Sequence, residues 1–136
     1  MDNKSKLPID TRKSVAVFLA EVVRVDFKVT EEDLSRAAEG LCSILGGDPV
    51  DARKLIEEAL LVKNRPVSYH PFAEELNRQF DYERKLNLIN WLWEVATVDD
   101  EIDKYEDHVI RKFADLLHVK PVDLLLSKRT TSRRNS

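Results

Sequence analysis

Apolar residues return along this chain at steps of three and four, the period of an α-helix. Val15, Phe18, Leu19, Val22 and Val25 form the first series and predict a helix from about Asp10 to Val25. Thr30 then stands before Glu31, Glu32 and Asp33. This Thr-x-x-Asp cap pattern opens a second helix to about Leu45, where Gly46-Gly47 closes it. Asp48-Pro49 starts a third, with aspartate as N-cap and proline in the first turn, expected through about Lys63. Pro66 and Pro71, five residues apart, break the pattern between Arg65 and Pro71. A fourth helix runs from about Pro71 to Gln79. Asp81 caps a fifth from Tyr82 to Val98, Asp103 opens a sixth to about Leu117, and Lys120-Pro121 opens a short seventh through about Lys128. No alternation of useful length predicts a strand. The expected fold class is all-α: about seven helices in a bundle with short connections.

The fifth helix is apolar on two sides. Leu88, Trp91, Leu92, Val95 and Val98 form one side, and Tyr82, Leu86, Ile89, Trp93 and Ala96 the other. Asn87, Asn90, Glu94 and Thr97 make a narrow polar strip between them. A helix apolar over most of its circumference belongs at the centre of a bundle.

A length of 136 residues suits one domain with a single sizeable core. The domain is expected over residues 10–128, with 1–9 as a loose polar arm and 129–136 as a basic tail without fixed structure. No apolar run reaches the roughly 18 residues of a membrane span, and no apolar segment follows the polar N-terminus as in a secretory signal. Cys42 stands alone, which excludes an internal disulfide and fits a reducing, cytoplasmic setting. The net charge is −3, yet residues 127–136 carry Lys128, Arg129, Arg133 and Arg134 with no acid. That local +4 leaves −7 on residues 1–126. An acidic body argues against a dedicated nucleic-acid binder. The basic tail suits weak contact with an acidic membrane surface.

The chain also matches itself at an offset of 73 residues. Val15, Phe18, Leu19, Val22 and Val25 fall on Leu88, Trp91, Leu92, Val95 and Val98. Glu21 falls on Glu94, Asp26 on Asp99, Val29 on Ile102, and Asp33 on Glu106. Residue type is kept through about 30 positions, including Ala37 on Ile110 and Ile44 on Leu117. This predicts two similar helix–corner–helix repeats.

The repeated pattern Leu-x-x-Val-x-x-x-Asp-x-x-(Ile/Val)-x-x-x-(Asp/Glu) resembles that of the TerB-like tellurite-resistance family. The likeness is best over Leu88–Leu117 and fainter over Val15–Leu45. The resemblance implies a two-repeat helical bundle with an acidic, metal-binding surface and a link to stress and tellurite resistance. The family usually places glycine after the corner aspartate, whereas this chain has Phe27 and Asp100. Phe27 disfavours a positive φ, which implies an altered first corner.

Residues 94–107 hold seven carboxylates against one lysine, Lys104. Helix capping accounts for part of this charge. Asp103 and Glu106 have capping-box spacing, as do Thr30 and Asp33. Asp26 and Asp99 are different, since each stands at the end of a helix, where the helix dipole disfavours negative charge. Asp99, Asp103 and Glu106, followed by Asp26 and Asp33, are the candidate ligands for a divalent cation, Ca2+ or Mg2+. The segment is not an EF-hand: it lacks the loop glycine, and the twelfth position from Asp99 is Ile110. Glu21 and Glu94 lie on polar strips and are expected to face solvent. His70, His108 and His118 have no zinc-ligand spacing, and Cys42 reads as a small apolar residue. No phosphate loop, nucleophile elbow or zinc-protease motif occurs. The expectation is a non-enzymatic binding protein with an unidentified protein partner. The alternative is a metal-free scaffold whose acids only cap helices.

Overall fold

A computed structural model describes residues 9–25, 29–96 and 104–135. The described residues form seven α-helices: α1 (Thr11–Val25), α2 (Glu31–Leu45), α3 (Pro49–Leu60), α4 (His70–Gln79), α5 (Tyr82–Ala96), α6 (Lys104–Leu116) and α7 (Pro121–Asn135). A single 3-10 turn, Val62–Asn64, follows α3. The all-α expectation holds, and no strand occurs among the described residues.

Side-chain caps set the starts of α1, α2 and α5. Asp10 Oδ1 accepts from the Lys13 backbone N–H at 2.7 Å, and Asp81 Oδ1 accepts from that of Arg84 at 2.9 Å. Asp48 departs from expectation: its side chain makes no capping hydrogen bond, and Pro49 at the first turn is what remains of the start signal. α3 also stops at Leu60, short of Lys63, because the chain tightens into the 3-10 turn. At the C-terminus the backbone of α7 stays helical to Asn135, beyond the expected end at Lys128.

Packing changes which helix is central. α1 packs against α2, α3, α4, α5 and α6, whereas α7 packs against α5. Val15, Ala16, Val17, Phe18, Leu19, Ala20, Val22 and Val23 are all buried, so α1 is enclosed on every side. α5 is the second inner helix, with Leu88, Ile89, Leu92, Trp93, Val95 and Ala96 buried. The periodic series marked one face of α1. The remaining small and β-branched residues cover the other faces, which only neighbouring helices could reveal as buried.

Two aromatic arrangements join the layers. Phe18 of α1 stacks on Phe113 of α6, with centroids 4.2 Å apart and planes within 10°. Tyr69, just ahead of α4, meets Phe18 edge-on at 6.2 Å and lies tilted against Phe113 at 5.1 Å. In the second, the Trp93 indole N–H donates to Ser127 Oγ at 3.0 Å, and Ser127 in turn donates to the Leu124 carbonyl at 2.8 Å, tying α5 to α7. A buried aromatic removed to alanine loses its contacts and leaves a cavity. Phe18→Ala is therefore expected to lower unfolding free energy by about 3–5 kcal/mol in urea denaturation.

Candidate functional site

The acids singled out in the sequence divide into three groups. Asp33 and Glu106 are placed, and both are buried, at 2% and 3% exposure. Asp33 completes a capping box: its N–H donates to Thr30 Oγ1 at 3.1 Å, while its Oδ2 accepts from the Thr30 N–H at 2.9 Å. One carboxylate oxygen of Asp33 is thus committed to holding the start of α2. Asp26, Asp99 and Asp103, with Asp100 and Glu101, lie outside the described residues. Among the described residues, no three of His, Cys, Asp and Glu come together as a metal site.

The third group corrects an expectation. Glu21 and Glu94 do not face solvent: they are 6% and 9% exposed. A buried carboxylate needs a charged or hydrogen-bonding partner. Glu21 Oε1 takes a hydrogen bond from Arg24 Nη1 at 2.7 Å and another from the Tyr69 hydroxyl. Its Oε2 takes one from Arg65 Nη2 at 3.0 Å. Arg24 also donates through Nη2 to the Ala59 carbonyl at 2.7 Å, anchoring the end of α3. Burial, then the bond to Glu21, pushes the Tyr69 phenol well above its ordinary value, so it remains a protonated donor. Glu94 of α5 accepts from Arg36 Nη1 of α2 at 3.1 Å. Each glutamate sits on a polar strip, but a neighbouring element covers that strip and brings an arginine with it.

Asp107, in the first turn of α6, also has partners: Arg111 at 2.7 Å and Lys128 at 2.6 Å. Burial alone would raise its carboxyl, but hydrogen bonds from Lys128 and Arg111 outweigh it and hold the group below the usual range. Lys128 lies 5.5 Å from the Trp93 ring centroid, so the middle of α7 is fixed against both α5 and α6.

Two open grooves border these helices. The larger, about 630 Å³, lies between α2 and α3 and is lined largely by Ala38, Cys42, Pro49 and Val50, with Arg53 and Glu57 at its rim. Cys42 is half-buried there instead of enclosed in the core. The smaller, about 330 Å³, lies between α2 and α5 and is polar, lined by Arg36, Glu39, Asn87, Asn90, Trp91 and Glu94. Trp91 and Trp93 part company as their spacing implies: Trp93 is fully buried, while Trp91 is half-buried at this groove. Gly40 admits the Trp91 indole, since a Cβ at that position would lie 3.0 Å from its Cε3. The polar strip of α5 was legible in the sequence. The groove was not, because Arg36 and Glu39 of its lining come from α2.

The described residues thus form an all-α bundle with arginine-paired acids inside its two inner helices and further acids at its helix starts. The family described as tellurite resistance protein TerB matches residues 12–128, and the chain belongs to that family. No individual curated protein and no solved structure matches it.

Two outcomes follow from the ion pairs. Glu21→Ala strands two arginines and a buried phenol. Its cost is expected to exceed about 1 kcal/mol but fall short of the about 3–5 of a fully buried pair, because Arg65 is half exposed. Glu39→Ala, at an exposed acid, serves as the near-neutral control in the same melts. For Asp107, a carboxyl held low stabilises the fold above its ordinary value of 3.8 and loses that contribution as pH falls through the lowered one. Asp107→Asn is expected to cost at most about 1 kcal/mol at neutral pH, and the two proteins should converge in acid once the pH is below the lowered value.

Proposed function

We propose that this chain is a non-catalytic TerB-type binding module, related to stress or tellurite resistance. It works through the acidic stretch around residues 94–107, and its ligand is a divalent cation, Ca2+ or Mg2+, or a basic protein segment in competition with it. One observation carries this reading. The described acids next to the corner have internal duties: Glu94 is paired with Arg36, and Asp107 with Arg111 and Lys128. Between Ala96 and Lys104 the sequence then adds Asp99, Asp100, Glu101 and Asp103 with no base. Four carboxylates in seven residues repel one another, and a cation or basic group relieves that repulsion. The reciprocal packing of α2 on α5 and α6 on α1 supports two related corners, with Asp26 and Asp33 at the first.

The capping box at Thr30–Asp33 favours a second reading for the first corner, a metal-free scaffold in which acids only hold helix starts. Calorimetric titration of Ca2+ and Mg2+ into the metal-free protein separates the two. Under the cation reading, heat of binding is observed, is lost in Asp99→Asn, and EDTA lowers the melting temperature. If no heat appears, or the variant gives the same heat, cation binding is excluded. An unchanged melt in EDTA then leaves the scaffold reading and the basic segment.

A further inference from the structure

The polar groove between α2 and α5 has features that no packing role explains. Asn87 and Asn90 sit one helical turn apart in the middle of an inner helix, where asparagine is disfavoured relative to lysine or glutamine. Both are half-buried, and neither side-chain amide makes a hydrogen bond among the described residues. Each amide offers two donors and an acceptor, which matches a peptide group. Beside them the Trp91 indole forms a wall, held across α2 by the absence of a side chain at Gly40. Glu39 stands at the rim with its side chain 66% exposed, 3.9 Å from an Arg36 whose closer contact is Glu94 at 3.1 Å.

We propose that this groove binds an extended, basic peptide segment, with the Asn87 and Asn90 amides pairing with its backbone and Trp91 and Glu39 receiving a lysine or arginine side chain. The length fits. Asn87 to Glu94 spans about 10 Å of helix, the reach of about three residues of extended chain. The aliphatic stem of a lysine can lie along the indole while its ammonium meets Glu39. The charge fits as well: the lining holds two acids and one arginine, and α5 runs from it directly into the four acids between Ala96 and Lys104. A volume of about 330 Å³ lies within the range of specific ligand sites. This assignment deepens the basic-partner version of the function above and rests on it for the sign of the ligand.

The probe is a blocked hexapeptide of alternating lysine and alanine, with an alternating glutamate and alanine peptide as control. Tryptophan fluorescence reports binding at Trp91, since Trp93 is sealed in the core. The basic peptide is expected to bind, more weakly as salt rises, and the acidic one not to bind. Asn87→Ala/Asn90→Ala, which favours the helix, is expected to lose about tenfold in affinity with a melting temperature no lower than that of the parent. Glu39→Gln is expected to weaken binding and its salt dependence together. Equal affinity in the double variant, equal binding of the acidic peptide, or no response up to millimolar basic peptide overturns the groove assignment. Binding that ignores the double variant but falls in Asp99→Asn overturns the groove while leaving the acidic corner standing. Cation heat in the calorimeter likewise decides the corner independently of the peptide.

Discussion

A carboxylate buried in the helix that five of the other six pack against is the constraint on which this fold turns. α1 is enclosed by five neighbours, and Glu21 lies within it. Leaving that charge unpaired would cost several kcal/mol, of the order of the whole stability of a domain this size. The fold answers with Arg24 from the same helix and with Arg65 and Tyr69 from the irregular stretch after α3. That stretch has little regular structure of its own, so the ionic cluster fixes where it lies. Tyr69 then reaches Phe18 and Phe113, and through them the position of α6 is coupled to the same carboxylate.

α5 carries a second buried acid. Glu94 is buried there and is paired with Arg36 from α2. Because Arg36 and Gly40 belong to one helix face, the ion pair and the seat of Trp91 are set together. The α2–α5 contact therefore leaves a polar groove where close helix packing would otherwise have filled the space with aliphatic side chains. Stability and a ligand-sized opening come from the same pair of helices.

The acids of the chain are thus not one surface. Glu21 and Glu94 are internal ion-pair partners, Asp33 is a helix cap, and Asp107 fastens α6 to α7. Asp33 meets a backbone N–H at a helix start, whereas Glu21, Glu94 and Asp107 meet basic side chains. Removing these from the sum concentrates the unexplained negative charge between Ala96 and Lys104.

By itself the sequence determined the helical class, the number of helices, most of their boundaries and the capping box at Thr30. These follow from relations among residues three or four apart, which the chain carries wherever it goes. The likeness to the tellurite-resistance family rested on the same short-range pattern. Only the tertiary structure decided that α1 outranks α5 as the central helix, that Glu21 and Glu94 are inside, and that Trp91 walls a groove. Those outcomes depend on partners 44, 48 and 58 residues away, Arg65, Tyr69 and Arg36, brought close by packing. A polar strip on a helical wheel shows that a face is not greasy. Whether water or an arginine covers it is settled by the neighbouring helix.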